Sequence, residues 1–127
     1  MRRISAAVLV GAALLVGRVY AHHSFAATYG EGKKVTIEGE LIQFMFRNPH
    51  SFVTVLAKDE KGEMQRWAVE WGSGGQLGRG GVTRDTLKPG DRVIITGDLS
   101  RTPGDHRLRM RNIVRPSDGW KWGGEFD

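Results

Sequence analysis

Val35-Thr36-Ile37-Glu38-Gly39-Glu40-Leu41-Ile42-Gln43-Phe44-Met45-Phe46 changes phase part-way along its length. Val35, Ile37 and Leu41 alternate with Thr36, Glu38 and Glu40, the two-residue period of a half-buried strand. From Ile42 onward the apolar positions fall on Ile42, Phe44 and Phe46, the opposite parity. A strand cannot move its apolar face by one residue without a bulge or a bend, and Gly39 lies near the change. The stretch therefore predicts one long, bent strand that faces two sides in turn.

Working outward, Phe52 to Ala57 reads as a second strand, and the polar turn Lys58-Asp59-Glu60-Lys61-Gly62 leads to a third, Met64 to Trp71. Trp67, Val69 and Trp71 share one face of it. Val93 to Gly97 and Leu108 to Val114 supply the fourth and fifth. The single predicted helical turn covers Thr83 to Leu87, with Thr83 as cap and Lys88-Pro89-Gly90-Asp91 as terminator. The order β-β-β-α-β-β with a long curved first strand describes an all-β fold, a small five-stranded OB-like Greek-key barrel. Another small barrel or sandwich is the alternative. The barrel is placed over residues 34–116, after an arm at 22–33 and before a tail at 117–127, whose Trp120 and Trp122 would cover a barrel end.

Residues 1–21 read as an export signal. Arg2 and Arg3 precede the apolar run Ile4 to Gly17, and Val19-Tyr20-Ala21 offers a peptidase site. The run is shorter than the roughly 20 residues that span a bilayer, so no membrane anchor is expected in the mature form. The mature protein is expected to be periplasmic or secreted. Cleavage would remove Arg2, Arg3 and Arg18, and a chain formally at +5 would fall to +2, with 16 basic against 14 acidic residues. The high isoelectric point of the whole chain, about 10.0, is thus a weak argument for a nucleic-acid partner. No cysteine is present, so neither disulfides nor a thiol nucleophile enter the reading.

Several unlike motifs occur in order: Ala21-His22-His23-Ser24-Phe25, Gly39 in the first strand, Arg47-Asn48-Pro49-His50-Ser51, Trp67-Ala68-Val69-Glu70, and Thr83-Arg84-Asp85-Thr86-Leu87-Lys88-Pro89-Gly90-Asp91. In these the chain resembles the exported bacterial family DUF6152, a domain of unknown function. The resemblance spans most of the mature chain and implies no particular activity.

His22, His23 and His50 are the candidate metal ligands, and Cu(II) is the expected ion. Cleavage after Ala21 would give His22 an α-amine beside its imidazole, a chelate that His50 could complete. His50 follows Asn48-Pro49 in the bend between strands one and two, where a barrel rim presents side chains. Cleavage one residue earlier would place His23 third, in a terminal site built from the amine, two amides and one imidazole. His106, in the loop before strand five, is the substitute for His50. In the competing reading His22 and His23 belong to a polar arm with no metal, and Phe25 packs on the barrel.

Ligand contacts are expected from Trp67, Glu70, Trp71, Arg107, Arg109 and Arg111. The arginines alternate along strand five, and Glu70 sits between two indoles. Glu70 could serve as an acid or base, although such a carboxylate more often pairs with an arginine. No catalytic residue is assigned: Ser73 lacks the spacing of a nucleophile elbow, and Gly72 to Gly81 lacks the lysine of a phosphate loop. The sequence thus favours a non-enzymatic binding protein for a periplasmic ligand or protein, with no nucleic-acid partner. A metal-free adaptor or a module for glycans or anionic ligands is the alternative.

Overall fold

The computed structural model describes residues 28–102 and 104–124. The expected signal at 1–21, both N-terminal histidines and Phe25 lie outside the described residues. Among the described residues, six strands and one helix follow in chain order: β1 (Tyr29–Met45), β2 (Phe52–Lys58), β3 (Met64–Glu70), α1 (Gly74–Arg79), β4 (Arg92–Ser100), β5 (Arg107–Arg115) and β6 (Trp120–Gly123). The sheet order is β3-β2-β1-β4-β5-β6, and β3 also pairs in parallel with β5 through Ala68↔Arg107 to Glu70↔Arg109. That parallel contact closes the first five strands into the expected barrel.

The 17-residue β1 explains the phase change. Its first half pairs with β4 up to Glu40↔Arg92, and its second half pairs with β2 from Gly39↔Ala57. Gly39 pairs on both sides, and a Cβ there would strike the Leu56 carbonyl. The bulge itself lies two residues on, where the register with β2 shifts between Leu41 and Gln43. Accordingly Ile37 and Leu41 are buried in the barrel, while Phe44 and Phe46 pack on the outer part of the core beside α1. Leu41, Val53, Val55, Val69, Val93, Ile95, Leu108 and Ile113 fill the interior, each fully shielded from solvent. At roughly 1.5–3 kcal/mol for each such side chain, this burial is the main force holding the cysteine-free fold.

Three expectations need correction. The helix lies not over Thr83 to Leu87 but in the glycine-rich segment Gly72 to Gly81. Glycine disfavours helix, and here tertiary contacts prevail: Ser73 caps the turn by accepting from the Gln76 N–H at 3.1 Å, Leu77 is buried, and Gly74 lies against the Phe46 ring. Thr83 to Leu87 is instead a hydrogen-bonded turn, in which the Thr83 N–H donates to Thr86 Oγ1 at 2.8 Å and Leu87 anchors the far end. The first strand begins at Tyr29, inside the expected arm, and the expected tail carries β6. Pairing of β6 with β5 from Asn112↔Gly123 to Arg115↔Trp120 brings Trp122 edge-on to Trp71, with ring centres 5.0 Å apart.

Candidate functional site

The turn that carries His50 is held by backbone and by one buried serine. Ser51 Oγ accepts from the Arg47 N–H and donates to the Arg47 carbonyl, both at 3.2 Å, closing the turn on itself. The Ser51 N–H donates to the Gly72 carbonyl at 2.9 Å and its carbonyl accepts from the Trp71 N–H at 2.8 Å. The Arg47 carbonyl accepts from the Gly74 N–H, and Asn48 Oδ1 from the Gly75 N–H, so the turn is also tied to the start of α1. These bonds, within the turn and to the segment Trp71 to Gly75, fix where His50 stands.

His50 stands beside Glu70. Its Nδ1 is 3.5 Å from Glu70 Oε1, and the carboxylate is 12% exposed. The other oxygen, Oε2, accepts a short hydrogen bond from the Tyr29 hydroxyl and a second from Arg107 at 3.1 Å. Arg107 Nε donates to the Tyr29 hydroxyl oxygen at 3.0 Å. Four elements thus converge on one carboxylate: the start of β1, the β1–β2 turn, the end of β3 and the start of β5. The guanidinium of Arg107 also lies over Phe52 and over Tyr29, with Arg47 on the Phe52 ring as well. Burial, then the hydrogen bond and charge of Glu70, push the Tyr29 hydroxyl up to about 12. Burial opposes the charge on Arg107, but Tyr29 and Glu70 outweigh it and hold the guanidinium above its usual range.

Residues 11–109 match the family described as a family of unknown function, DUF6152. The chain belongs to that family. Comparison of the DUF6152 chain with curated proteins finds no match. Among solved structures, it resembles the mitochondrial single-stranded DNA binding protein Rim1 of S. cerevisiae. In one crystal form the match has 13% identity and a TM-score of 0.50, covering 74% of this chain and 98% of Rim1. In a second form it has 14% identity and a TM-score of 0.46, covering 64% and 90%. At 13% identity the first match speaks for the fold alone, that of an OB barrel.

Of the site residues expected from the sequence, the DUF6152 structure gathers His50, Glu70 and Arg107 into one cluster. Trp71 and Arg109 line a cavity of about 310 Å³ that also has His50 on its wall. His50 borders a second hollow of about 300 Å³ with Arg47, Phe52 and Glu70. Trp67 lies apart, buried, with its Nε1 donating to the Ala57 carbonyl at 3.2 Å. It borders a cleft of about 530 Å³ with His106, whose ring meets it edge-on at 5.0 Å. His106 Nε2 is 3.9 Å from Asp59. Burial opposes the Asp59 charge, yet the Glu63, Gln65 and Lys61 hydrogen bonds and His106 hold its carboxyl below the usual range. Arg111 is separate again, donating to Asp98 at 2.7 Å. Among the described residues no group of three His, Asp or Glu side chains is placed to hold a metal ion. His22 and His23 lie outside those residues. Sequence reasoning missed Tyr29, whose only signal is an aromatic residue inside the polar run Thr28 to Lys34. No helix among the described residues is long and apolar enough to cross a membrane.

Proposed function

We propose that this chain is an exported, non-enzymatic binding protein that holds Cu(II) between its mature N-terminus and His50. One observation carries the reading: Tyr29, from which the N-terminal arm extends, and His50 meet on the same Glu70 carboxylate. An arm leaving Tyr29 starts beside His50 rather than at the far end of the barrel. His22 is seven residues before Tyr29, a span of up to ~23 Å when extended, so it has ample reach. The donor set suits the ion. His22 would supply an α-amine and an imidazole, and His50 a further imidazole, all nitrogen ligands of the kind Cu(II) takes. A carboxylate facing Nδ1 orients the His50 ring and directs metal to Nε2, which gives Glu70 a supporting role.

The test uses protein purified from its export route, with the N-terminus read by mass spectrometry and Cu(II) titrated by competition with a chelator. One extra residue ahead of His22 is expected to weaken binding and change the visible spectrum; an unchanged affinity and spectrum would exclude the amine and sink the proposal. His50→Ala is expected to lose affinity, whereas a terminal chelate with His23 third would not respond. Glu70→Gln is expected to cost about 10–100-fold, the effect of losing a carboxylate behind a metal-bound histidine.

A further inference from the structure

The cleft of about 530 Å³ beside Trp67 shares no lining residue with the Tyr29–Glu70–Arg107 cluster or with His50. It lies between the first half of β1, the β2–β3 turn and the β4–β5 loop, and its volume falls within the roughly 300–1,000 Å³ of small-molecule sites. Val35 and Leu99 pack on the core, keep part of their surface and form its apolar side. On the turn side Lys58, Glu60, Lys61 and Glu63 are exposed, and their two positive and two negative charges balance. Asp59 adds a further negative charge, and its side chain is 13% exposed. Its Oδ1 accepts from the Lys61 and Glu63 N–H groups at 2.9 and 3.0 Å, while Oδ2 accepts from Gln65 Nε2 at 3.1 Å. His106 Nε2 stands 3.9 Å from Oδ2, beyond bonding distance, so among the described residues this oxygen keeps a second accepting position. The facing wall is fixed as well. His106 has φ 46°, a left-handed backbone that a non-glycine residue adopts under the hold of its neighbours. Those neighbours are Ala68, whose N–H donates to the His106 carbonyl at 3.0 Å, and Trp67, which its ring meets edge-on. Both walls are in place before a guest arrives, which lowers the cost of binding one.

We propose that this cleft binds a small primary amine with an apolar body. Its ammonium donates to Asp59 Oδ2, and its body lies against Val35 and Leu99 beside the His106 ring. A hydrogen bond between two ionised groups is about twice as strong as a neutral one, so the open position on a shielded carboxylate selects a cation over an uncharged guest. An anion would meet Asp59 as a like charge. The site uses neither His22 nor His50, and its test is run on metal-free protein in the presence of a chelator. Failure here therefore leaves the terminal copper site standing, and the reverse also holds.

Benzylamine serves as the probe, benzyl alcohol as its uncharged counterpart of the same shape, and methylamine as the cation without the body. The reporters are the three groups that donate to Asp59: the Lys61 and Glu63 backbone N–H signals and the Gln65 side-chain amide, followed in an assigned nitrogen-15 correlation spectrum. Benzylamine is expected to move them in a saturable way. Benzyl alcohol is expected to bind at least about tenfold more weakly, the loss of one charge-assisted contact. Methylamine is expected to bind weaker by a similar factor, because it leaves Val35 and Leu99 uncovered. Asp59→Asn keeps an acceptor for the turn and is expected to weaken benzylamine about tenfold, whereas Asp85→Asn, on an exposed turn away from the cleft, should leave it unchanged. Equal affinity for benzylamine and either counterpart, or reporters that do not respond to millimolar benzylamine, overturns the proposal. Both of those readouts are made on the unsubstituted protein and so hold even if Asp59→Asn does not fold.

Discussion

Arg107 and Arg115 stand at the two ends of β5, and their surroundings differ in a way that separates structure from function. Arg115 makes four hydrogen bonds: two to the Asp118 carboxylate, one to Asp91 and one to the Thr86 carbonyl. It lies over Trp120, and its side chain is 17% exposed. The Asp118 hydrogen bond, with help from Asp91, holds its charge above the usual range, and Arg115 in turn holds the Asp118 carboxyl below its own. Each of its three guanidinium nitrogens donates, and the groups it joins are the β5–β6 turn and the loop before β4. Arg107 makes two hydrogen bonds, to a tyrosine and to a carboxylate that also faces a histidine, and its side chain is 39% exposed. An arginine with all three nitrogens engaged fastens loops; a half-exposed one shares its carboxylate with His50, which borders two hollows.

The largest effect should come from the Arg115 end. Arg115→Ala leaves Asp91 and the Thr86 carbonyl without a charged partner and releases β6 from the barrel. A loss of about 3 kcal/mol in urea unfolding is expected, the upper range for hydrogen bonds to charged groups. Arg107→Ala should cost about 1 kcal/mol, as befits a more exposed pair. Equal losses at the two positions would remove the distinction between the ends of β5.

A second measurement sharpens the Arg107 end. Tyr29→Phe removes the hydroxyl that donates to Glu70, with an expected loss of about 1.5–2 kcal/mol at neutral pH. In the unfolded chain the hydroxyl loses its proton near 10.0, and in the fold at about 12. Between those values the folded state binds the extra proton, so its contribution is complete below pH 10 and is lost as pH rises toward 12. Unfolding midpoints across that window should therefore fall more steeply for the natural chain than for Tyr29→Phe. Parallel slopes would mean that Tyr29 is not held protonated by Glu70 and burial.

Much of the barrel is legible from residue patterns, because alternation reports which face is buried. The β1 phase change announces a bulge, although its position, Leu41 to Gln43, depends on the register with β2 rather than on Gly39. Two elements resist such reading for opposite reasons. Half of α1 is glycine, which disfavours helix, and the turn is held because Leu77 is buried and Ser73 caps it. β6 has the right alternation in Trp120 and Trp122 but only four residues, too few to separate from a loop. His50, Glu70 and Arg107 are each conspicuous in the sequence for a different reason. What joins them is the parallel β3–β5 contact and the turn of Arg47 to Ser51, both long-range features that no local period encodes. Tyr29 has no periodic context at all.

The smallest expected effect concerns the arginines of β5 as a surface for nucleic acid. Arg107, Arg109 and Arg111 alternate along β5, the kind of cationic row that attracts a phosphate backbone. The ion pairs argue the other way. Arg107 is committed to Glu70, Arg111 to Asp98, Arg115 to Asp91 and Asp118, and on the neighbouring strand Arg92 to Glu38. A phosphate would have to displace a carboxylate at each of these positions, with little net gain in charge neutralisation or counterion release. At roughly 0.15 M salt, where charges more than about 8 Å apart are screened, fluorescence anisotropy with labelled oligothymidylate should show binding no tighter than ~100 µM. The same titration with Asp98→Asn and Glu70→Gln combined should tighten it, because two guanidinium groups are released. Submicromolar binding by the unsubstituted protein would show that these pairs open readily, and would make the row on β5 a recognition surface rather than a set of internal ties.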